Sequence, residues 1–172
     1  MNSQFVSIVT PTFNRRPFIP MLINCVNNQT YPKCFIEWII IDDGTDSVED
    51  LFTNNKNIDQ NIDVRYYRLN EKVSLGKKRN LANQYCSSQI IIYMDDDDYY
   101  PPTRIEHAVD TLMKNPTALC AGSSILYIYF KHVEQMYKFG PYGPNHATAA
   151  TFAFRKELLE QTQFDENAFI GE

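Results

Sequence analysis

Ile90-Ile91-Ile92-Tyr93-Met94-Asp95-Asp96-Asp97-Asp98-Tyr99-Tyr100-Pro101-Pro102 is the stretch on which the reading of this chain turns. Five largely apolar residues run straight into four carboxylates and then a Tyr-Tyr-Pro-Pro stop. A run this short, apolar and β-branched predicts a strand buried on both faces. Ligands bind outside the carboxyl edge of an open α/β sheet, so the aspartates are predicted to stand on a ligand-binding rim. Carboxylates crowded this closely repel and raise one another's pKa unless a cation lies among them. Their oxygens suit hard divalent ions, magnesium, manganese or calcium. In an extended chain alternate side chains share a face, which pairs Asp95 with Asp97 and turns Asp96 and Asp98 the other way. The competing reading is a solvated acidic turn.

Upstream of this stretch the pattern alternates between strand and helix. Phe5–Thr10 predicts a strand that Pro11 ends, followed by the turn formers Thr12 and Asn14. Phe18, Met21, Leu22, Cys25 and Val26 recur at helical spacing. Ile36–Ile41 predicts a second buried strand, with Trp38 in the core, and it too runs into acid and glycine, Asp42-Asp43-Gly44. Ser47 is placed to cap a short helix through Phe52. Val64–Leu69 reads as a third strand, and a helix is expected from about Gly76. That helix carries Lys77, Lys78 and Arg79 in its first turn, which opposes the helix dipole and makes sense if an anion such as phosphate sits there.

Downstream, Ile105, Ala108, Val109, Leu112 and Met113 form another apolar stripe. One or two strands over Ala118–Phe130, a returning strand over Val133–Phe139 and a short strand at Thr151–Phe154 follow. The order β-α-β-α-β-α-β up to Asp98 implies a parallel sheet with right-handed crossovers. The fold class is therefore α/β, a Rossmann-like, mostly parallel sheet flanked by helices, with a mixed C-terminal part.

Composition narrows the function classes. The chain has 172 residues, 44% hydrophobic and 22% charged, with a net charge of −5 and no basic block. That argues against nucleic acid as a partner. No apolar run reaches the length of a membrane span, and Met1–Gln4 is not the start of a leader. Cys25, Cys34, Cys86 and Cys120 lack metal-ligand spacing, so buried, reduced thiols in a cytoplasmic protein are expected. No G-x-G-x-x-G or P-loop stretch is present, which disfavours a dinucleotide oxidoreductase or an ATPase. Phosphate is then expected to be held through a metal and basic side chains.

The chain resembles the family 2 glycosyltransferases of the GT-A nucleotide-sugar-binding fold. The matching segments run in family order over almost the whole chain: Val6–Arg15, Ile39–Ser47, Leu75–Asn83, Ile90–Ile105 and Phe152–Glu172. The resemblance implies one domain over residues 1–172. Residues 1–98 would bind the nucleotide-sugar and 99–172 would form an acceptor-side half, cut short relative to a longer protein.

The resemblance also implies roles. Pro11, Thr12, Phe13, Asn14 and Arg15 would line the nucleotide pocket. Asp43 would hydrogen-bond the base, commonly uracil. Lys78 and Arg79 would approach the diphosphate. Spacing to Pro102 puts Asp97 at the ribose or metal and Asp98 at the metal, with Asp95 and Asp96 supporting. The two readings of the acidic run agree on Asp97.

The implied reaction moves a sugar from a nucleotide-sugar, UDP-sugar favoured, to an acceptor hydroxyl, inverting the anomeric centre. Manganese or magnesium would offset charge on the leaving diphosphate. The acceptor would be a glycan, a lipid-linked sugar or a protein. The general base falls on Glu172, after Gly171, unless it lies in a longer protein. Two alternatives stay open: a nucleotide-sugar-binding module without efficient turnover, and a nucleotidyltransferase.

Overall fold

A computed structural model describes residues 4–53, 55–143 and 145–168. The elements are strands β1 (Val6–Thr12), β2 (Ile36–Asp42), β3 (Asp63–Arg68), β4 (Ile90–Tyr93), β5 (Cys120–Ala121), β6 (Leu126–Phe130), β7 (Gln135–Phe139) and β8 (Ala153–Arg155). The helices are α1 (Ile19–Asn27), α2 (Glu49–Phe52), α3 (Leu75–Tyr85) and α4 (Arg104–Lys114). Six strands make one sheet in the order β3-β2-β1-β4-β8-β5. β3, β2, β1 and β4 are parallel, and β8 pairs antiparallel with both β4 and β5. The chain winds outward from β1 to β3 and then crosses to the other side of β1. The reversal lies between β1 and β4, which is where ligands collect in such sheets.

The apolar strands are buried on both faces because each side of the sheet has its own core. Ile8, Trp38, Ile40, Ile90 and Ile92 pack with Ile19, Leu22, Val26, Ile105 and Leu112 of α1 and α4. Val9, Ile39, Ile41, Ile91 and Tyr93, one residue out of phase, pack with Ala82 and Cys86 of the α3 side and with Phe154. This two-faced alternation is the physical meaning of the continuous apolar runs in the sequence.

Trp38, fully buried, links three strands. Its indole N–H donates to Thr10 Oγ1 at 3.0 Å, and that hydroxyl donates to Met94 O at 2.7 Å, where the acidic run begins. Trp38→Phe is expected to lower stability by about 2–3 kcal/mol, from the lost hydrogen bond plus the cavity. Urea denaturation followed by far-ultraviolet circular dichroism measures it.

Several local expectations need correction. Pro11 does not end β1 but lies inside it, opposite Ile41. β4 pairs with β1 only as far as Val9, so Pro11 has a neighbouring strand on one side and its missing N–H is tolerated. Ser47 is not the cap of α2. The cap residue is Val48, whose N–H is taken by Asp42 Oδ2 at 3.1 Å, while Ser47 Oγ accepts from Glu49 N at 3.3 Å. The cysteines are free, but only Cys25 and Cys86 are buried, whereas Cys34 and Cys120 are exposed. Burial pushes the Cys86 thiol up to about 12. The expected hairpin forms from β6 and β7 as a separate two-stranded sheet.

The acidic run also departs from its expected geometry. β4 stops at Tyr93, and Asp96–Asp98 form a turn. Strand alternation therefore does not order the four carboxylates. The reason lies in Tyr100, whose hydroxyl accepts from Asp95 N at 2.6 Å and donates to Ala150 O at 3.3 Å, folding the chain back at once.

Candidate active site

A cleft of about 500 Å³ opens at the carboxyl ends of β1 and β4, over the point where strand order reverses. Pro11–Arg15, leaving β1, form one wall. Asp95, Asp96 and Asp97, leaving β4, form the second. Lys72, Val73, Leu75, Lys78 and Arg79, from α3 and the loop before it, form the third.

The β1 exit is shaped by Asn14, which adopts the left-handed region at φ 55. Its side-chain oxygen accepts from Asp46 N at 3.0 Å and from Thr45 Oγ1 at 3.2 Å, pinning the loop after β2 against the cleft wall. Gly44 is required there, since a Cβ would stand 2.6 Å from Asn14 N. Asp42, buried, organises the same loop. It accepts from Gly44 N at 2.8 Å and from the Tyr66 hydroxyl, and pairs with Arg68 at 3.0 Å. Burial and the Asp42 carboxylate push the Tyr66 hydroxyl up to about 12.

Asp43, the residue expected at the base, lies behind the wall rather than on it. Its carboxylate pairs with Lys78 and accepts from Val73 N at 2.9 Å. Lys78 also donates to Thr12 O at 3.0 Å. Arg79, 3% exposed, donates to Asp95 Oδ2 at 3.2 Å. Two of the three cations that seemed to await an anion at the start of α3 are thus matched by the protein's own carboxylates, and Ser74 caps the helix through Lys77 N at 3.2 Å. Lys77 alone of the three points to solvent.

The four aspartates separate by environment. Burial raises the pKa of Asp95, with Arg79 opposing the shift. Burial, with the charges of Asp97 and Asp95, pushes Asp96 up to about 6. Asp98 is likewise pushed up to about 6 by burial and by the charges of Asp95 and Asp97, but it does not line the cleft. Asp97 is solvent-accessible and meets Arg15 at 3.3 Å, an exposed pair with 42% and 46% side-chain exposure.

Asp95, Asp97 and Asp98, named above for a metal, do not form a closed cage. Among the described residues no three His, Cys, Asp or Glu side chains are arranged to hold a metal unaided. The residues nonetheless fit a divalent ion that takes its remaining oxygens from a diphosphate, as magnesium and its like do. Asp95 Oδ1 is buried without a hydrogen-bond partner, and Asp96 has only the Thr12 hydroxyl beside it, an arrangement that suits a cation.

Lys72 and Val73 escaped the sequence reading. Lys72 Nζ stands 4.4 Å over the Phe13 ring, on the cleft wall. It lies in an irregular loop with no periodicity to mark it; the available signal was a cation two residues before the cap of a helix that already carried the Lys-Lys-Arg run. Tyr100 is 6% exposed and serves the acidic turn from beneath, whereas Tyr99 is 72% exposed. His146 packs at a tilt against Tyr142, with ring centres 4.8 Å apart, and does not line the cleft. Glu172 lies outside the described residues. Among the described residues no helix is long and apolar enough to cross a membrane.

Residues 7–165 match the family model described as glycosyl transferase family 2. TuaG of Bacillus subtilis is 30% identical over 114 residues, covering 66% of this chain and 44% of that protein. The poly(ribitol-phosphate) beta-N-acetylglucosaminyltransferase TarS of Staphylococcus aureus is 30% identical over 102 residues, 54% of this chain and 16% of its own length. This chain thus spans less than half the length of these curated relatives. Among solved structures, the Pyrobaculum calidifontis mannosyltransferase PcManGT with GDP-Man and Mn2+ superposes with a TM-score of 0.78 at 18% identity, over 97% of this chain and 49% of its own. S. aureus TarS 1-349 with UDP-GlcNAc superposes with a TM-score of 0.65 at 20% identity, over 92% of this chain and 47% of its own. These likenesses establish the GT-A fold expected from the sequence.

Proposed function

The chain belongs to glycosyl transferase family 2, and from that premise we propose that it moves a sugar from a nucleotide-sugar, a UDP-sugar by preference, to an acceptor hydroxyl with inversion and with a divalent metal. The observation that carries this reading is one cleft at the strand-order reversal, lined by three aspartates of the acidic run, with Asp95 Oδ1 buried and unpartnered, and by a basic wall. Uridine is supported by the UDP-GlcNAc bound to TarS, although PcManGT holds GDP-Man.

In this reading Pro11–Asn14 and Lys72 flank the nucleoside. Asp97 and the free oxygen of Asp95 hold the metal, with Asp96 beneath them. Lys78 keeps the β1 and β2 exits together through Thr12 O and Asp43 rather than touching phosphate. A bound metal would supply positive charge against the diphosphate as it leaves. Arg15 and Arg79, on separate walls of the cleft, each pair with an aspartate and add positive charge beside the acidic run. Attack by the acceptor hydroxyl on the far side of the anomeric carbon inverts it, and the proton passes to a general base. Glu172 is assigned that role on family spacing alone. Residues 1–98 serve the donor and 99–172 the acceptor side of one catalytic domain.

Calorimetry with UDP, with and without manganese, tests the reading, followed by a hydrolysis screen of UDP-, GDP- and TDP-sugars. We expect UDP to bind at least tenfold more tightly with manganese and one UDP-sugar to be hydrolysed in preference. Metal-independent binding of UDP would sink the metal site, and binding without hydrolysis of any sugar nucleotide would leave a binding module.

A further inference from the structure

Helix α3 spends two of its residues on a segment far along the chain. Asn80, 6% exposed, donates from Nδ2 to Phe164 O at 2.9 Å and to Glu166 Oε1 at 3.1 Å, and its Oδ1 accepts from Phe164 N at 3.0 Å. One turn earlier, Gly76 lets the same segment approach so closely that a Cβ would stand 2.3 Å from Asp165 O. Residues four apart lie on one helix face, so Gly76 and Asn80 together form a seat.

What the seat holds in place is an aromatic ring against a donor-site cation. The Arg79 guanidinium lies 5.4 Å from the Phe164 ring centre and 5.2 Å from that of Tyr93, and the two rings are 5.8 Å apart. The same guanidinium donates to Asp95 Oδ2. An arginine over ring faces is held by the ring quadrupole and by its planarity. Asp95 thereby keeps one oxygen on Arg79 and the other, Oδ1, without a hydrogen-bond partner.

We propose that Phe164, seated by Gly76 and Asn80, is a positioning residue for the donor site and acts through Arg79 on Asp95. The inference rests on the reading of the cleft as a metal-assisted nucleotide site. It gives the segment 164–166 a function in a wall it does not itself line. It also explains why a buried asparagine follows the Lys-Lys-Arg run directly.

Three variants of the full chain test it by calorimetry with UDP and manganese. Phe164→Leu keeps apolar bulk against the sheet but removes the ring face, and is expected to weaken binding about five- to tenfold. Phe164→Tyr keeps the ring and is expected to stay within about twofold of wild type. Gly76→Ala puts the better helix former in α3 while its methyl displaces residue 165, and is expected to match Phe164→Leu. Wild-type affinity in either Phe164→Leu or Gly76→Ala would overturn the positioning role, as would equal losses in Phe164→Leu and Phe164→Tyr. Metal-independent UDP binding by the unaltered protein is a separate outcome and overturns the donor-site reading beneath it.

Discussion

Asp97→Asn is expected to weaken manganese-dependent UDP binding by about a hundredfold, roughly 3 kcal/mol, while leaving the metal-free fold intact. Asp97 is the one aspartate of the four that both lines the cleft and is exposed, Asp95 being half-buried and Asp96 buried. Its partner in the protein, Arg15, is exposed too, and an exposed pair is worth about 0–1 kcal/mol. A divalent ion can displace that arginine at little cost. Losing the pair should barely move the melting temperature, and removing one of four crowded negative charges works in the stabilising direction. UDP binding without manganese should be the same in variant and wild type, which separates a lost metal ligand from a damaged pocket. Asp98→Asn is the comparison. Family spacing put the metal on Asp98, whereas the structure leaves Asp98 off the cleft wall. A loss in Asp98→Asn equal to that in Asp97→Asn would return the metal to Asp98, and an unimpaired Asp97→Asn would remove it from Asp97.

The sequence disclosed the sheet because burial on both faces leaves an unmistakable trace. Ile39–Ile41 and Ile90–Ile92 are short, continuous, β-branched apolar runs, as a strand between two layers requires. It disclosed the cleft's address for a related reason, since polar residues at the ends of such runs must stand on the sheet's rim. Pro11–Arg15 and Asp95–Asp97 are together there, as read. Sequence is silent on which charges cancel one another. Lys78 and Asp43 looked like two separate offers to a ligand, but the fold closes them on each other. Their separation of 35 positions carries no periodic signal, because the contact is set by how α3 crosses the β2 exit. The order of the four aspartates was hidden likewise, since it depends on Tyr100 reaching back to Asp95 N and on Ala150 reaching that tyrosine from another element. Lys72 went unseen because a loop residue acquires meaning only from what stands opposite, here Phe13.

Lys78→Met is expected to lower the free energy of unfolding by about 3–5 kcal/mol, the cost of leaving one member of a buried pair without its counter-charge. The Asp43 side chain is fully buried and that of Lys78 is 6% exposed. Methionine keeps most of the volume, so the loss reports charge rather than packing. The stranded Asp43 would retain only Val73 N–H. Lys78→Met with Asp43→Leu removes both charges and should recover about 1–3 kcal/mol of that loss, because an apolar pair of similar volume replaces an ion pair at small net cost. Full recovery is not expected, since Val73 N–H then has no acceptor. UDP affinity should not return with stability in the double variant. The pair ties the β1 exit at Thr12 O, the β2 exit at Asp43 and the loop carrying Val73 into one wall, and an apolar contact cannot replace those directed bonds. Guanidinium denaturation of the four species and UDP titration of each measure the two effects separately. Additive losses in stability would show that the charges do not face each other in a dry interior, and the wall would then need another explanation for its rigidity.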